Sequence, residues 1–237
     1  MRLAPSLHRL GSSLVNSYLI EEAGLVTIVD AGLPGYWRDL PEELAAMGRT
    51  LDDVRAVVLT HGDTDHVGFA ERIRRERGVP VYVHELDAAR ARAEVKKPMS
   101  GWGPMKIGPL AGFLLYTARK GGLRIPPLTE VVTFADGATL DVPGAPRVIH
   151  LPGHTPGSVA FHVPAVHAVF MGDAMTTRSV LTGEVGPRRA PFTLEPAQAM
   201  SSLAKLDSVE ASWVLPGHGE PSSAGLAHAL REIRANA

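Results

Sequence analysis

Seven side chains able to grip a metal ion recur at one kind of position in this sequence. The stretch "LTHGDTDHVG" (residues 59–68) places His61, Asp63, Asp65 and His66 within six residues, directly behind an apolar run. His154 sits in "LPGHTPGS" after "RVIHL", Asp173 ends "HAVFMGD", and His218 lies in "VLPGHGE" after "SWVL". Imidazole nitrogens and carboxylate oxygens are ligands for zinc and for harder divalent cations. The chain has 10 histidines and no cysteine, so thiolate ligands, disulfides and a cysteine nucleophile are excluded. A single histidine behind a strand usually completes a hydrogen-bond network, and an aspartate beside glycine usually makes a turn. Four donors in one bend, joined by three more behind other apolar runs, go beyond turn chemistry. Seven also exceed the four ligands of one tetrahedral zinc. They suffice for two metals ~3.5–4 Å apart that share a carboxylate and a hydroxide, with Asp173 the natural bridge.

Such donors need a rigid frame. "LVNSYLI" (14–20) and "LVTIVDAG" (25–32) read as strands, and "YWRDLPEELAAMG" as a helix stopped at Gly48. The nearly continuous apolar run "VRAVVLT" (54–60) predicts a strand covered on both faces. "VGFAERIRRERG" returns to helical spacing, and "VPVYVH" closes a βαβ-like unit. In the second half "VVTF" and "ATLDV" flank the turn 135–137 as a hairpin, and "RVIHL", "SVAFHV" and "HAVFMG" follow as strands. "PAQAMSSLAKLDS" is helical, "SWVL" a last strand, and "SSAGLAHALREIRANA" a terminal amphipathic helix. Strands interleaved with helices in both halves predict an α/β chain with two sheets face to face and helices outside. Residues 96–130 interrupt this plan with Pro98, Gly101, Gly103, Pro104, Gly108, Pro109, Gly112, Gly121, Gly122, Pro126 and Pro127 around "LAGFLLYTA". That density of breakers predicts an insertion or lid on a single domain spanning 1–237.

Composition narrows the function. Apolar content of 45 % and charge of 21 % are ordinary for a globular protein. A net charge of −1 gives no bulk attraction to nucleic acid or to an anionic membrane. No segment approaches the ~18 apolar residues of a membrane span. The N-terminal stretch lacks the apolar run of an export signal, so the expected compartment is the cytoplasm.

The motifs together resemble the metallo-β-lactamase superfamily, whose signature is H-x-H-x-D-H, a histidine in a "PGHTPG"-like loop, an aspartate after "F-x-G-D", and a late histidine in "PGHG". Here they read H-G-D-T-D-H, "LPGHTPGS", "VFMGDA" and "LPGHGE", in that order, and "VDAG" (29–32) matches the family's early "VDTG". The resemblance implies a four-layer αββα sandwich with a dimetal site along one edge of its sheets. Carried over residue by residue, it implies that His61 and His154 bind one metal, that Asp65, His66 and His218 bind the other, and that Asp173 bridges. Asp63 departs from the pattern, since the family usually has histidine there. It adds negative charge and hardens that site, with three outcomes open: Asp63 ligates and shifts preference from zinc towards iron or manganese, or it falls short and holds the metal through water, or only the second metal binds well. Flavodiiron relatives similarly carry a carboxylate at this position.

The function this implies is hydrolysis. Metal-bound hydroxide would attack a carbonyl, and Asp65 would orient it and relay a proton. Relatives handle esters, lactones, thioesters, β-lactams and phosphodiesters. The short chain after His218 leaves no room for the helical domain of glyoxalase II-type thioesterases, and the near-neutral charge disfavours RNA processing. Trp102, Met105, Phe113, Leu114, Leu115 and Tyr116 of the insertion would wall an apolar pocket suited to a small hydrophobic ester or lactone. Arg178, Arg188 and Arg189 are placed to meet a substrate carboxylate, or form a solvated loop. The alternatives are an iron-dependent redox enzyme and a binding protein without turnover.

Overall fold

Three apolar clusters separate four layers in the computed structural model, which describes residues 1–95 and 102–236. Pro98 and Gly101, counted above among the breakers, lie outside the described residues. The first half builds a seven-stranded sheet in the spatial order β1 (Arg2–Ala4), β2 (Leu7–Ser12), β3 (Val15–Glu22), β4 (Leu25–Val29), β5 (Val54–Val58), β6 (Val81–His84) and β7 (Val132–Phe134). Pairing is antiparallel from β1 to β4 and parallel from β4 to β7. Parallel neighbours need crossovers, and α1 (Tyr36–Ala46), α2 (Thr64–Val67), α3 (Ala70–Arg77), α4 (Ala88–Ala91) and α5 (Ile107–Arg119) lie in them.

The second half supplies β8 (Arg147–His150), β9 (Val159–Val163), β10 (Ala168–Gly172), the two-stranded ribbon β11 (Thr176–Arg178) with β12 (Val185–Arg188), and β13 (Trp213–Pro216). Its sheet runs β13-β10-β9-β8, with β10 and β13 parallel. The helices α6 (Pro196–Ser202) and α7 (Leu226–Ala235) complete the chain.

Strand alternation builds the layers. Along β4 and β5, Val29, Ala56 and Val58 enter the cluster between the sheets, where they meet Phe161 and Phe170. Ile28, Val57 and Leu59 point the other way, towards Leu40 and Leu44 of α1 and Ile73 of α3. Both faces are therefore apolar, as the run 54–60 predicts. A third cluster joins Val169 and Met171 of the second sheet to Leu226, Leu230 and Ile233 of α7. The result is the αββα order of layers.

Three local readings are corrected. "VVTF" and "ATLDV" do not pair as a hairpin. β7 instead joins β6 in the first sheet, while Thr139 makes only an isolated bridge to Arg147. The turn between them passes the chain from one sheet to the other, with Asp136 accepting from the His150 backbone N–H. The helix expected over 67–78 begins only at Ala70, as α3, while Val67 ends a separate short helix, α2, at Gly68. The insertion contains a regular 13-residue helix, α5, because Gly108 and Pro109 fall in its first turn, where proline is tolerated. Among the described residues no helix is long and apolar enough to cross a membrane.

Candidate metal centre

The seven donors come together from both sheets. His61, Asp63, Asp65 and His66 follow β5, while His154, Asp173 and His218 follow β8, β10 and β13. Three overlapping groups each hold their ligand atoms within 4.8 Å of one another: His61, Asp63 and His154; Asp65, His66 and His218; His61, His66 and Asp173. Asp173 sits between the first two groups. Its Oδ2 lies 3.6 Å from His154 Nε2 and 3.3 Å from His218 Nε2, and its Oδ1 lies 3.6 Å from His66 Nε2. Tetrahedral ligands ~2.1 Å from one ion are about 3.4 Å apart, so these spacings suit shared coordination. Two glycines permit the approach. Gly172, with φ of +48, abuts Thr60 so closely that a Cβ would sit 2.3 Å from its Oγ1. At Gly62 the requirement is space rather than an unusual turn, since a Cβ would lie 2.8 Å from the Ala91 backbone nitrogen.

The hydrogen bonds fix which ring nitrogen carries the proton. His66 Nδ1 faces the Asp30 carboxylate at 2.9 Å and His218 Nδ1 the Leu14 carbonyl at 2.5 Å, and both partners only accept. His61 Nδ1 lies 3.0 Å from Thr60 Oγ1, whose own proton goes to Asp30. His154 Nδ1 lies 3.3 Å from Thr193 Oγ1, whose proton goes to the Ala190 carbonyl. Each imidazole therefore donates from Nδ1 and turns Nε2 inward, where its neutral form offers a lone pair to a metal. His61, His66 and His154 Nε2, and Asp173 Oδ1, are buried without a hydrogen-bond partner. An unsatisfied buried polar atom costs about 1–3 kcal/mol, and divalent cations would satisfy this whole set. The residues fit the metals the family signature implies.

The surrounding carboxylates favour positive charge on two of these rings. Burial opposes the protonated form of His66, but the Asp30 and Asp173 carboxylates overcome it and push its pKa up to about 10. His218 is likewise raised by Asp173 against burial, while burial and the neighbouring His66 and His154 hold His61 well below its usual range. The imidazoles of His218, His66 and His154 overcome burial at Asp173 and keep its carboxyl far below the ordinary carboxylate value.

Asp63 belongs to the cluster. It occupies the N-cap position of α2, yet its side chain makes no capping hydrogen bond. Oδ2 is turned to His154 and His61, 3.4 and 3.9 Å from their Nε2 atoms, and Oδ1 accepts from Arg90 Nε at 2.5 Å. The added negative charge expected of Asp63 therefore arrives with a guanidinium beside it. Asp65 is the most open of the seven, with one-fifth of its side chain exposed, and lies 3.5 Å from His218 Nε2.

Sequence reasoning missed three supporting residues. Asp30, within the matched "VDAG", holds Thr60 and His66. Asp87 is wholly buried and accepts from the Gly62 and Gly157 amides and from Thr155 Oγ1, which ties the loop of His61 to the loop of His154. Arg90 is the third. Asp87 and Arg90 carried no readable signal, because their partners are distant in the chain.

A cavity of about 160 Å³ opens over the donors. Asp63, Asp65, His154, Asp173 and His218 form its floor, and Leu33, Phe113, Ile125, Val180 and Phe192 its walls. Of the six insertion residues expected there, Phe113 lines it, and Trp102 packs edge-on against Phe192 with ring centroids 4.9 Å apart. Met105, Leu114 and Leu115 are exposed, while Tyr116 bonds the hydroxyl of Tyr36 instead. Arg178, Arg188 and Arg189 do not line the cavity, and Arg188 pairs with Glu184. His8 turns to Glu43, His162 to the Glu210 carbonyl and His228 to Glu232, while His84 and His150 stack on each other.

The profile of the metallo-β-lactamase superfamily matches residues 10–218. A protein of Bacillus subtilis named as the probable metallo-hydrolase YflN is 26 % identical, over 92 % of this chain and 85 % of its own. The crystal structure of the metallo-β-lactamase family protein TTHA1429 from Thermus thermophilus superposes with a TM-score of 0.70 at 26 % identity, covering 99 % of this chain and 80 % of that one. TTHA1623, solved in a di-iron-bound form, is 30 % identical with a TM-score of 0.61, over 92 % and 93 % of the two chains.

Proposed function

Because this chain belongs to the metallo-β-lactamase superfamily, we propose that it is a hydrolase with a dinuclear metal centre, acting on an ester, lactone or thioester of a small and largely apolar molecule. The observation that carries this reading is the inward convergence of four Nε2 lone pairs with Asp173 between them. In it, His61, Asp63 and His154 would hold one metal, Asp65, His66 and His218 would hold the other, and Asp173 would serve both. Zinc is the first expectation, and the Asp63 carboxylate makes iron or manganese the alternatives.

Bound metals supply a water acidic enough to ionise near neutral pH and a Lewis acid for the carbonyl. The protein supplies the rest. Asp65, the most open carboxylate on the cavity floor, orients the attacking water, takes its proton and passes it to the leaving group. Phe113 and Phe192 seat the apolar part of the substrate and keep other water out. The lining sets the carboxylates of Asp63, Asp65 and Asp173 against apolar walls, which supports a neutral, largely apolar substrate.

The test is elemental analysis of protein purified without added metal, with turnover on a panel of esters, lactones, thioesters and a phosphodiester. Two metals per chain and hydrolysis of a neutral member are expected, with kcat falling about 10²–10⁴-fold in Asp65→Asn. Unchanged turnover in that variant would overturn the assigned role. The second reading, an iron-dependent redox enzyme, is favoured by Asp63 and by the likeness to a protein solved with two irons. Iron with oxygen uptake, and no hydrolysis, would establish it instead.

A further inference from the structure

Arg90 stands on α4, 27 residues from Asp63 in sequence, and its side chain is only 9 % exposed. Its Nε donates to Asp63 Oδ1 at 2.5 Å, and its Nη2 is buried without a hydrogen-bond partner. A buried guanidinium is expensive unless paired, so nothing about this position is explained by solubility or surface packing. Asp63 in turn stands where the family usually has a neutral imidazole, 4 % exposed, beside two histidines with inward lone pairs. A lone carboxylate there would add a full negative charge and could turn either oxygen, or both, to a cation.

We propose that Arg90 is a positioning residue for one of the two metals: by gripping Oδ1 it turns Oδ2 towards His61 and His154 and cancels the charge of the carboxylate. With Arg90 on Oδ1, Asp63 then enters the site as a one-atom donor whose charge is offset, closer to what a histidine would be. The proposal rests on the dinuclear reading above. It makes the departure from the family pattern a two-residue exchange, histidine for an aspartate and an arginine, rather than a simple gain of charge. It also accounts for α4 lying hard against Gly62, because that contact brings Arg90 within reach of the ligand loop.

The experiment is zinc titration of chelator-stripped protein against a chromophoric competitor, which reads stoichiometry and affinity at each site without turnover. Arg90→Met keeps the buried stem and removes the charge and the donor. It is expected to weaken one site about 10–100-fold, the usual effect of losing a ligand's hydrogen-bond partner, and to leave the other within twofold. Asp63→His alone is expected to weaken the same site, since it leaves Arg90 buried and unpaired beside a cation. The double variant, Asp63→His with Arg90→Met, is expected to recover it to within about threefold of the parent chain. Equal or tighter binding by Arg90→Met, or a double variant no better than either single one, would overturn the proposal while leaving the dinuclear reading intact. Failure of the unmodified chain to bind zinc, iron or manganese would overturn both. Should Arg90→Met not fold, Arg90→Lys and the double variant still decide the matter by the same titration.

Discussion

Asp30 Oδ2 accepts the Nδ1 proton of His66 at 2.9 Å, from a backbone held at φ of +59. A residue other than glycine in this left-handed region is uncommon, although aspartate and asparagine tolerate it best. The strain is offset by three hydrogen bonds, two to Thr60 and one to His66. Asp30→Asn keeps the tolerance of the backbone but brings an N–H₂ group towards donors. It is expected to lower metal affinity about 10–100-fold while preserving the fold, measured as metal retained on dialysis against graded chelator. Full retention with an unchanged circular dichroism spectrum would show that His66 is oriented by something else.

Asp87 ties two ligand loops together from a wholly buried position. Asp87→Ala leaves the amides of Gly62 and Gly157 without that acceptor. The expected destabilisation is about 2–5 kcal/mol, read as a fall in Tm of roughly 5–15 °C for a chain of this size. Metal held by His61 and His154 should be lost before metal held by His66 and His218, because His61 and His154 directly adjoin residues that Asp87 holds, whereas His218 stands on a third loop.

The pKa of His66, raised to about 10 by Asp30 and Asp173 against burial, gives the metal-free protein a pH dependence with a definite sign. A group whose folded pKa exceeds its unfolded value of about 6.5 stabilises fully below pH 6.5. That contribution fades as pH rises through about 10. Melting curves of chelator-stripped protein should therefore show Tm falling between pH 6.5 and 10, with the fall reduced in His66→Gln. Metal uptake near pH 7 should release protons, because the ligating form of His66 is neutral. Calorimetry in buffers of different ionisation enthalpy measures that release, and its absence would contradict the protonated state of the free site.

Much of this centre is legible in the sequence because a strand delivers its next residue to a fixed edge. Four apolar runs ending in His61, His154, Asp173 and His218 already place the donors. The supporting side chains are another matter. Arg90 reaches Asp63 and Asp87 reaches Gly157 only through tertiary packing, and neither pairing leaves a local period or motif. Strand content at the N-terminus was unread for a related reason. Residues 2–12 make the edge strand β1 and its neighbour β2, whose register is set by β3, while Pro5 and Gly11 mask their alternation. The hairpin expected at 131–142 shows the converse, since good local turn chemistry gives way to the stronger demand of β6 for a parallel neighbour.

Phe113 lines the cavity from α5 and meets the His218 ring edge-on, with centroids 6.1 Å apart. Phe113→Ala should enlarge the cavity and shift preference from short towards longer acyl groups by about tenfold or more in kcat/KM. An ester series of increasing chain length measures it, and an unchanged ranking would place the acyl group elsewhere.

Donors on loops from two different sheets have a mechanical consequence. His61 and His66 hang from the first sheet, and His154, Asp173 and His218 from the second. An ion gripped by both acts as a rivet through the sandwich, binding only when the halves are closed on each other. At a free concentration a hundred times its dissociation constant, such an ion holds the folded chain by ~2.7 kcal/mol. Starving the protein of metal would then do more than silence it, because the seam between its two halves would be the first place for it to open.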